Sequence, residues 1–274
     1  MADKPVSKPK EPPKPVHIGG ESLVDRILPH LKKIIVGVIV LSVVITVVLA
    51  IRWWKHHGQE QETEKLAQVL GVAQRHIAVP GAPPDPKSSA FATAQERAKA
   101  VLDEMNKQGT SPPGHAYRAS LLLAAADVDA SIEEYRRGQD AQGIEGVLAR
   151  EGLGIALEAK ADAEKKLDVN VYGKLLEEAL TVYQRMQPDE KGPRRAYALY
   201  HQGRIQAARS EQAKERSKAA KERAEEAAAL LKEAAALLEE ARTLFEKANA
   251  LVALQGDHEL RDLIEKRLAT LGSA

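Results

Sequence analysis

The sequence predicts an all-α protein: a single transmembrane helix, then a solenoid of repeated helix pairs with a long helical or coiled-coil insertion near the C-terminus. Three observations carry this. The strongest helix formers, Ala, Leu, Glu, Lys and Arg, dominate the 274 residues. Ile34 to Ile51 reads IIVGVIVLSVVITVVLAI, 18 residues without a charge. Further on, apolar residues recur at helical spacing in successive segments punctuated by Gly and Pro.

The counts also exclude. Forty Lys+Arg against 39 Asp+Glu leave a formal charge of +1, which argues against nucleic acid as a partner, because phosphate binding needs a concentrated basic surface. The absence of Cys removes thiolate metal sites, disulfides and cysteine nucleophiles.

Residues 1–31 form a Pro- and Lys-rich tail, expected to be an extended and solvated arm. Residues 32–54 read as an uncleaved signal anchor. A helix from Ile34 to Ile51 would span about 27 Å, close to a hydrocarbon core of roughly 30 Å. Lys33 flanks one end and Arg52, Trp53 and Trp54 the other, residue types that anchor at the headgroup boundary. Seven Lys/Arg precede the run and three lie in residues 52–72, so the positive-inside rule puts the N-terminus in the cytoplasm.

Residues 55–87 read as a stalk helix and a Pro-rich linker. Leu66, Val69, Leu70, Ala73 and Ile77 share one helical face, and Pro80 to Pro86 breaks the helix. Residues 88–274 form the repeat domain. Ser88 or Ser89 is expected to cap its first helix, with Phe91, Ala98, Val101 and Met105 among the inward positions. Three helix-turn-helix units follow, from His115 to Gly138, from about Gly146 to Met186, and from Pro193 onward. Gly154, Ala179 and Gly203 stand where paired helices approach closely. Such pairs cannot bury their faces alone and stack into a solenoid.

Between Arg204 and Gln255 there is neither Gly nor Pro. Leu230, Leu237, Leu244 and Leu251 fall seven apart, with parallel columns starting at Leu231 and Ala227. This stretch is either one long helix or a hairpin. The Leu237–Val252 end is expected to be core, and Ala227, Leu230 and Leu231 a contact surface for another chain. The last helix, from His258 to Leu271, should turn Leu260, Leu263, Ile264, Leu268 and Leu271 inward.

The order of span, Trp-Trp and stalk helix, followed by Phe91-Ala-Thr-Ala, Leu121-Leu-Leu-Ala-Ala-Ala, Leu153-Gly154 with Leu157, Ala179 with Tyr183, and Ala198-Leu-Tyr-His-Gln-Gly-Arg-Ile, resembles the YfgM-type tetratricopeptide-repeat-like family. The resemblance runs from about Lys32 to the C-terminus. It implies a bacterial inner-membrane protein whose C-terminal domain lies in the periplasm, ancillary to the Sec translocon, with translocon subunits, periplasmic chaperones or exported polypeptides as partners. It also implies Gly154, Leu157, Ala179 and Tyr183 as repeat-packing positions, to which the spacing of small residues adds Gly203. The chain departs from the family in an extension over Lys160–Val171, an insertion near 208–240 and a longer Pro-rich tail.

No catalytic, cofactor-binding or metal-ligating residues are expected. The eight His form no HExxH pattern, and neither a Walker loop nor a GxSxG elbow occurs. Gly152-Leu-Gly154 lacks the third glycine of a dinucleotide loop and is read as close helix packing. The carboxylates are read as solvated faces. Tyr117, Tyr135, Tyr172, Tyr183, Tyr197 and Tyr200 either line a peptide groove or pack between repeats. Two functions remain: a binding scaffold held at a membrane, or a structural coiled-coil oligomer of the cell envelope.

Overall fold

A computed structural model describes residues 44–49, 52, 60–78, 90–110, 114–220 and 222–272. The described residues are helical with no strand, as an all-α fold requires; one isolated parallel bridge joins Ile77 to Phe91. The chain divides into Met1–Gln61 and Glu62–Ala274. In the first unit residues 44–49 are helical and their apolar side chains, such as Val48 and Leu49, are exposed. Ile34, Ile51, Lys33, Trp53 and Trp54 lie outside the described residues, as do the tail and the Pro-rich linker; Arg52 is helical and exposed. Among the described residues no helix is long and apolar enough to cross a membrane.

The second unit is a run of helices, each packed on its neighbours in sequence. Helix α1 covers residues 60–73. Val69 is its buried contact, seated against Val101 and Met105 of α2, Ala94–Gln108. Two sequence expectations are corrected here. Leu70 is exposed rather than inward, because the buried stripe passes through Val69, Val72 and Ala73. Ile77 and Phe91 belong to no helix, since their backbones pair with one another. Thr93 caps α2: its hydroxyl accepts from the Glu96 amide at 3.1 Å, and the Glu96 carboxylate reaches back past the cap to accept from the Ala92 amide at 3.0 Å. The helix therefore starts at Ala94 behind Thr93; Ser88 and Ser89, the expected caps, lie outside the described residues.

Helices α3, His115–Ala124, and α4, Val128–Gly138, form the first pair; α5, Gly143–Glu164, and α6, Val169–Met186, form the second. Asp127 and Asp168 cap α4 and α6, and Ser131 donates to the Ala119 carbonyl at 3.0 Å, tying α4 to α3. The expected extension over Lys160–Val171 divides into the end of α5, a short turn and the first residues of α6.

Residues 204–255 form a hairpin, not one long helix. Its arms are α7, Arg195–Ala219, and α8, Ala224–Gln255, the most extensively packed pair of the fold. Small residues allow the close approach: Ser210, Ala213 and Ser217 of α7 and Ala234, Ala241 and Ala248 of α8 are buried, and Ser210 donates to the Ala234 carbonyl at 2.8 Å. The antiparallel register of that bond brings Leu230 alongside Ala213 and Ser217, and Leu230 is 8% exposed. This corrects the expected contact surface. Leu230 is internal, Ala227 is half-buried, and of the three Leu231 alone is exposed. Leu244 and Leu251 are partly buried, whereas Phe245 and Val252 are core. Helix α9, His258–Gly272, closes the end with Leu260 and Ile264 buried; Leu263 faces outward, against expectation.

Candidate functional site

Helix α5 is buried over most of its circumference. On one side Leu153, Ala156 and Leu157 are buried. On two others, glycines admit tyrosine rings from the flanking helices. A Cβ at Gly152 would stand 2.2 Å from the Tyr135 ring of α4, and one at Gly154 2.4 Å from the Tyr183 ring of α6. Tyr183 is fully buried, as is Ala179 one turn before it on α6, and Gly203 of α7 faces the Phe245 ring at 2.9 Å in the same sense. Thus Gly154, Leu157, Ala179, Tyr183 and Gly203 all lie in helix-helix contacts.

These contacts make a prediction. Gly154→Ala should cost about 1–3 kcal/mol despite the better helix propensity of Ala, because a pinned and buried ring must move. Gly71→Ala, where the added methyl meets open space on α1, should be neutral or stabilising by up to about 1 kcal/mol. Chemical denaturation checks both, and equal effects at the two glycines would exclude the close approach as the cause.

The remaining side of α5 carries Ile144, Leu148, Glu151, Ile155 and Glu158, spaced three or four apart and so on one stripe. The three apolar members are exposed, while the two carboxylates meet cations around α7. Glu151 is 7% exposed and pairs with Arg194; His201 Nε2 lies 3.5 Å from the same oxygen, a charge-pair distance without hydrogen-bond alignment. Glu158 pairs with Arg204 and accepts from the Tyr183 hydroxyl at 2.5 Å. The His201 ring stacks on Tyr183 with centroids 4.6 Å apart. Arg194 lies 3.9 Å over the Tyr197 ring, and Tyr197 donates at 2.7 Å to Asp257, whose other oxygen caps α9 through the Leu260 amide. One polar chain therefore joins α5, α6, α7 and α9.

Its electrostatics follow from burial and pairing. Burial pushes the Glu151 carboxyl up, but His201 and Arg194 together outweigh it and hold the group below the usual carboxylate value. Burial, reinforced by Glu151, raises the Tyr135 hydroxyl to about 12. Burial, and then the neighbouring Glu158, pushes Tyr183 far up. Glu151 Oε2, Arg194 Nε and His201 Nε2 are buried without hydrogen-bond partners among the described residues.

Beyond the Glu158–Arg204 pair the surface opens into a cleft of about 340 Å³. Ala207 and Ala208 of α7, Leu238 and Phe245 of α8 and Leu271 of α9 give it apolar walls, and Glu158, Arg204, Glu211, Arg267 and Thr270 give it a polar edge. None of the six tyrosines lines this cleft; Tyr135, Tyr172, Tyr183 and Tyr200 are core packing. Sequence reasoning missed Glu151 and Glu158 as site residues by placing them on solvated faces. Their signal was present: they stand seven apart, and the six residues between them are Gly, Leu, Gly, Ile, Ala and Leu. Among the described residues no group of His, Asp and Glu is arranged to hold a metal ion.

Fold and site together define an all-α array of antiparallel helix pairs with an open, mostly apolar cleft. No protein-family model, curated protein or solved structure matches this chain.

Proposed function

We propose that this protein is a membrane-anchored, tetratricopeptide-repeat-like scaffold that binds other polypeptides through the cleft between α5, α7, α8 and α9. Residues 32–54 serve as the anchor, the tail stays in the cytoplasm, and residues 55–274 work on the periplasmic side of a bacterial inner membrane. The charge asymmetry around the 18-residue run and the resemblance to YfgM-type proteins support this placement. They also point to a task ancillary to the Sec translocon and periplasmic chaperones.

The observation that carries the binding role is the cleft itself. Its apolar walls come from three helices and its polar edge carries the part-buried Glu158–Arg204 pair, so it is a concave surface of the kind that receives side chains. The heptad columns favour the scaffold over an interchain zipper. Leu230, Ala234, Ala241, Phe245, Ala248 and Val252 are buried within one chain and leave only scattered members such as Leu231 for contact with another.

The test is site-specific photo-crosslinking in intact membranes carrying a translocation-arrested secretory chain. A probe at Leu238 should capture the arrested chain, and a probe at the exposed Leu254 should not. Equal capture at both positions, or none at Leu238, would rule the cleft out as the binding surface.

A further inference from the structure

The cleft holds one charge that nothing described neutralises. Glu158 is engaged with Arg204 and the Tyr183 hydroxyl, and Glu211 with Lys214 at 3.0 Å. Arg267 projects from α9 into the same cleft beside Leu271 and has no hydrogen-bond or ion-pair partner among the described residues. With the two carboxylates of the cleft engaged by other cations, the Arg267 guanidinium is left to meet an anion next to an apolar seat.

We propose, resting on the scaffold reading above, that the cleft takes the C-terminal end of a polypeptide. The last side chain, an apolar one, sits between Leu238, Phe245 and Leu271, and the α-carboxylate meets the Arg267 guanidinium. Arg suits this role because its planar fork matches a carboxylate with two parallel hydrogen bonds. A chain end satisfies both demands with one residue, since the carboxylate and the side chain leave the same Cα. An internal acidic residue does not: its side chain carries the charge, and in an extended peptide the adjacent side chains point the other way. The cavity, at about 340 Å³, lies at the bottom of the range for ligand sites. That size suits a single large side chain and its neighbour better than a long acyl chain.

The experiment measures fluorescence anisotropy of a labelled short peptide ending in leucine, as the free acid and as the amide, with the full-length protein in detergent. The free acid should bind about tenfold more tightly, a difference of roughly 1.4 kcal/mol. Arg267→Ala should erase that difference and Arg267→Lys should keep part of it; circular dichroism confirms that both variants fold. Leu238→Asp should abolish binding of both peptides. Equal affinity of acid and amide, or a difference that survives Arg267→Ala, overturns the carboxylate contact while leaving the scaffold reading in place if Leu238→Asp still abolishes binding. If neither peptide binds, both readings fall; if dodecanoate binds where neither peptide does, the ligand is a fatty acid and this proposal is overturned.

Discussion

Phe245→Ala should cost about 3–5 kcal/mol of stability, the largest loss expected from any single truncation in α8. Phe245 is fully buried. Its ring lies against the bare backbone of Gly203, sits 5.8 Å from the Tyr200 ring, and forms part of the cleft wall. Neighbouring helices cannot collapse into the void, because the α7–α8 spacing is already set by Ala and Ser contacts. Leu231→Ala, at an exposed position, should stay within about 0.5 kcal/mol. Leu230→Ala should fall between the two, since Leu230 is buried among small residues near the hairpin turn. Denaturant titration of the three variants gives the ranking. A cost at Leu231 equal to that at Phe245 would mean that the outer column is also covered, and that a second chain packs on α8.

Arg194→Met should be the most damaging polar substitution, at up to about 3–5 kcal/mol, because it leaves the buried Glu151 carboxylate without its main cation. Partial solvent access to Arg194 and the nearby His201 hold the loss toward the lower end. The pH dependence gives the sharper readout. Glu151 titrates below the usual carboxylate value in the folded protein, so its contribution to stability is complete above the unfolded value of 4.5 and is lost as pH falls through the lower folded value. In Arg194→Met, burial acts with less opposition and the folded value moves up. That variant should therefore begin to lose stability at a higher pH than the wild type. Parallel pH–stability curves for the two proteins would show that the Glu151–Arg194 pair contributes nothing to folding.

Much of the fold was legible because helix periodicity and breakers act locally. The pairs from His115 to Gly138 and from Gly146 to Met186 follow from apolar spacing and from the Gly and Pro that interrupt it. Gly154 was readable as a close approach, although nothing in the sequence names Tyr183 as the ring that fills it. The site was less legible. The heptad columns of α8 indicate an apolar face, and the arm from Arg204 onward, which offers mainly Ala and the stems of Lys and Arg, looks too thin to cover it. Ser210, Ala213 and Ser217 provide cover by being small: the helices come close enough for Leu230 to be buried by backbone and short side chains.

What the sequence by itself determined is the helical class, the positions of the main breaks and the 18-residue apolar run, all properties of residues near one another along the chain. Only the tertiary structure decided that residues 204–255 fold back as a hairpin, that Glu151 meets Arg194 and Glu158 meets Arg204 across 43 and 46 positions, and that Arg267 enters a cleft formed with α7 and α8. The reason is physical. A charge on a helix face has the same local pattern whether it meets water or a partner from a distant helix, and only packing of the faces distinguishes the two.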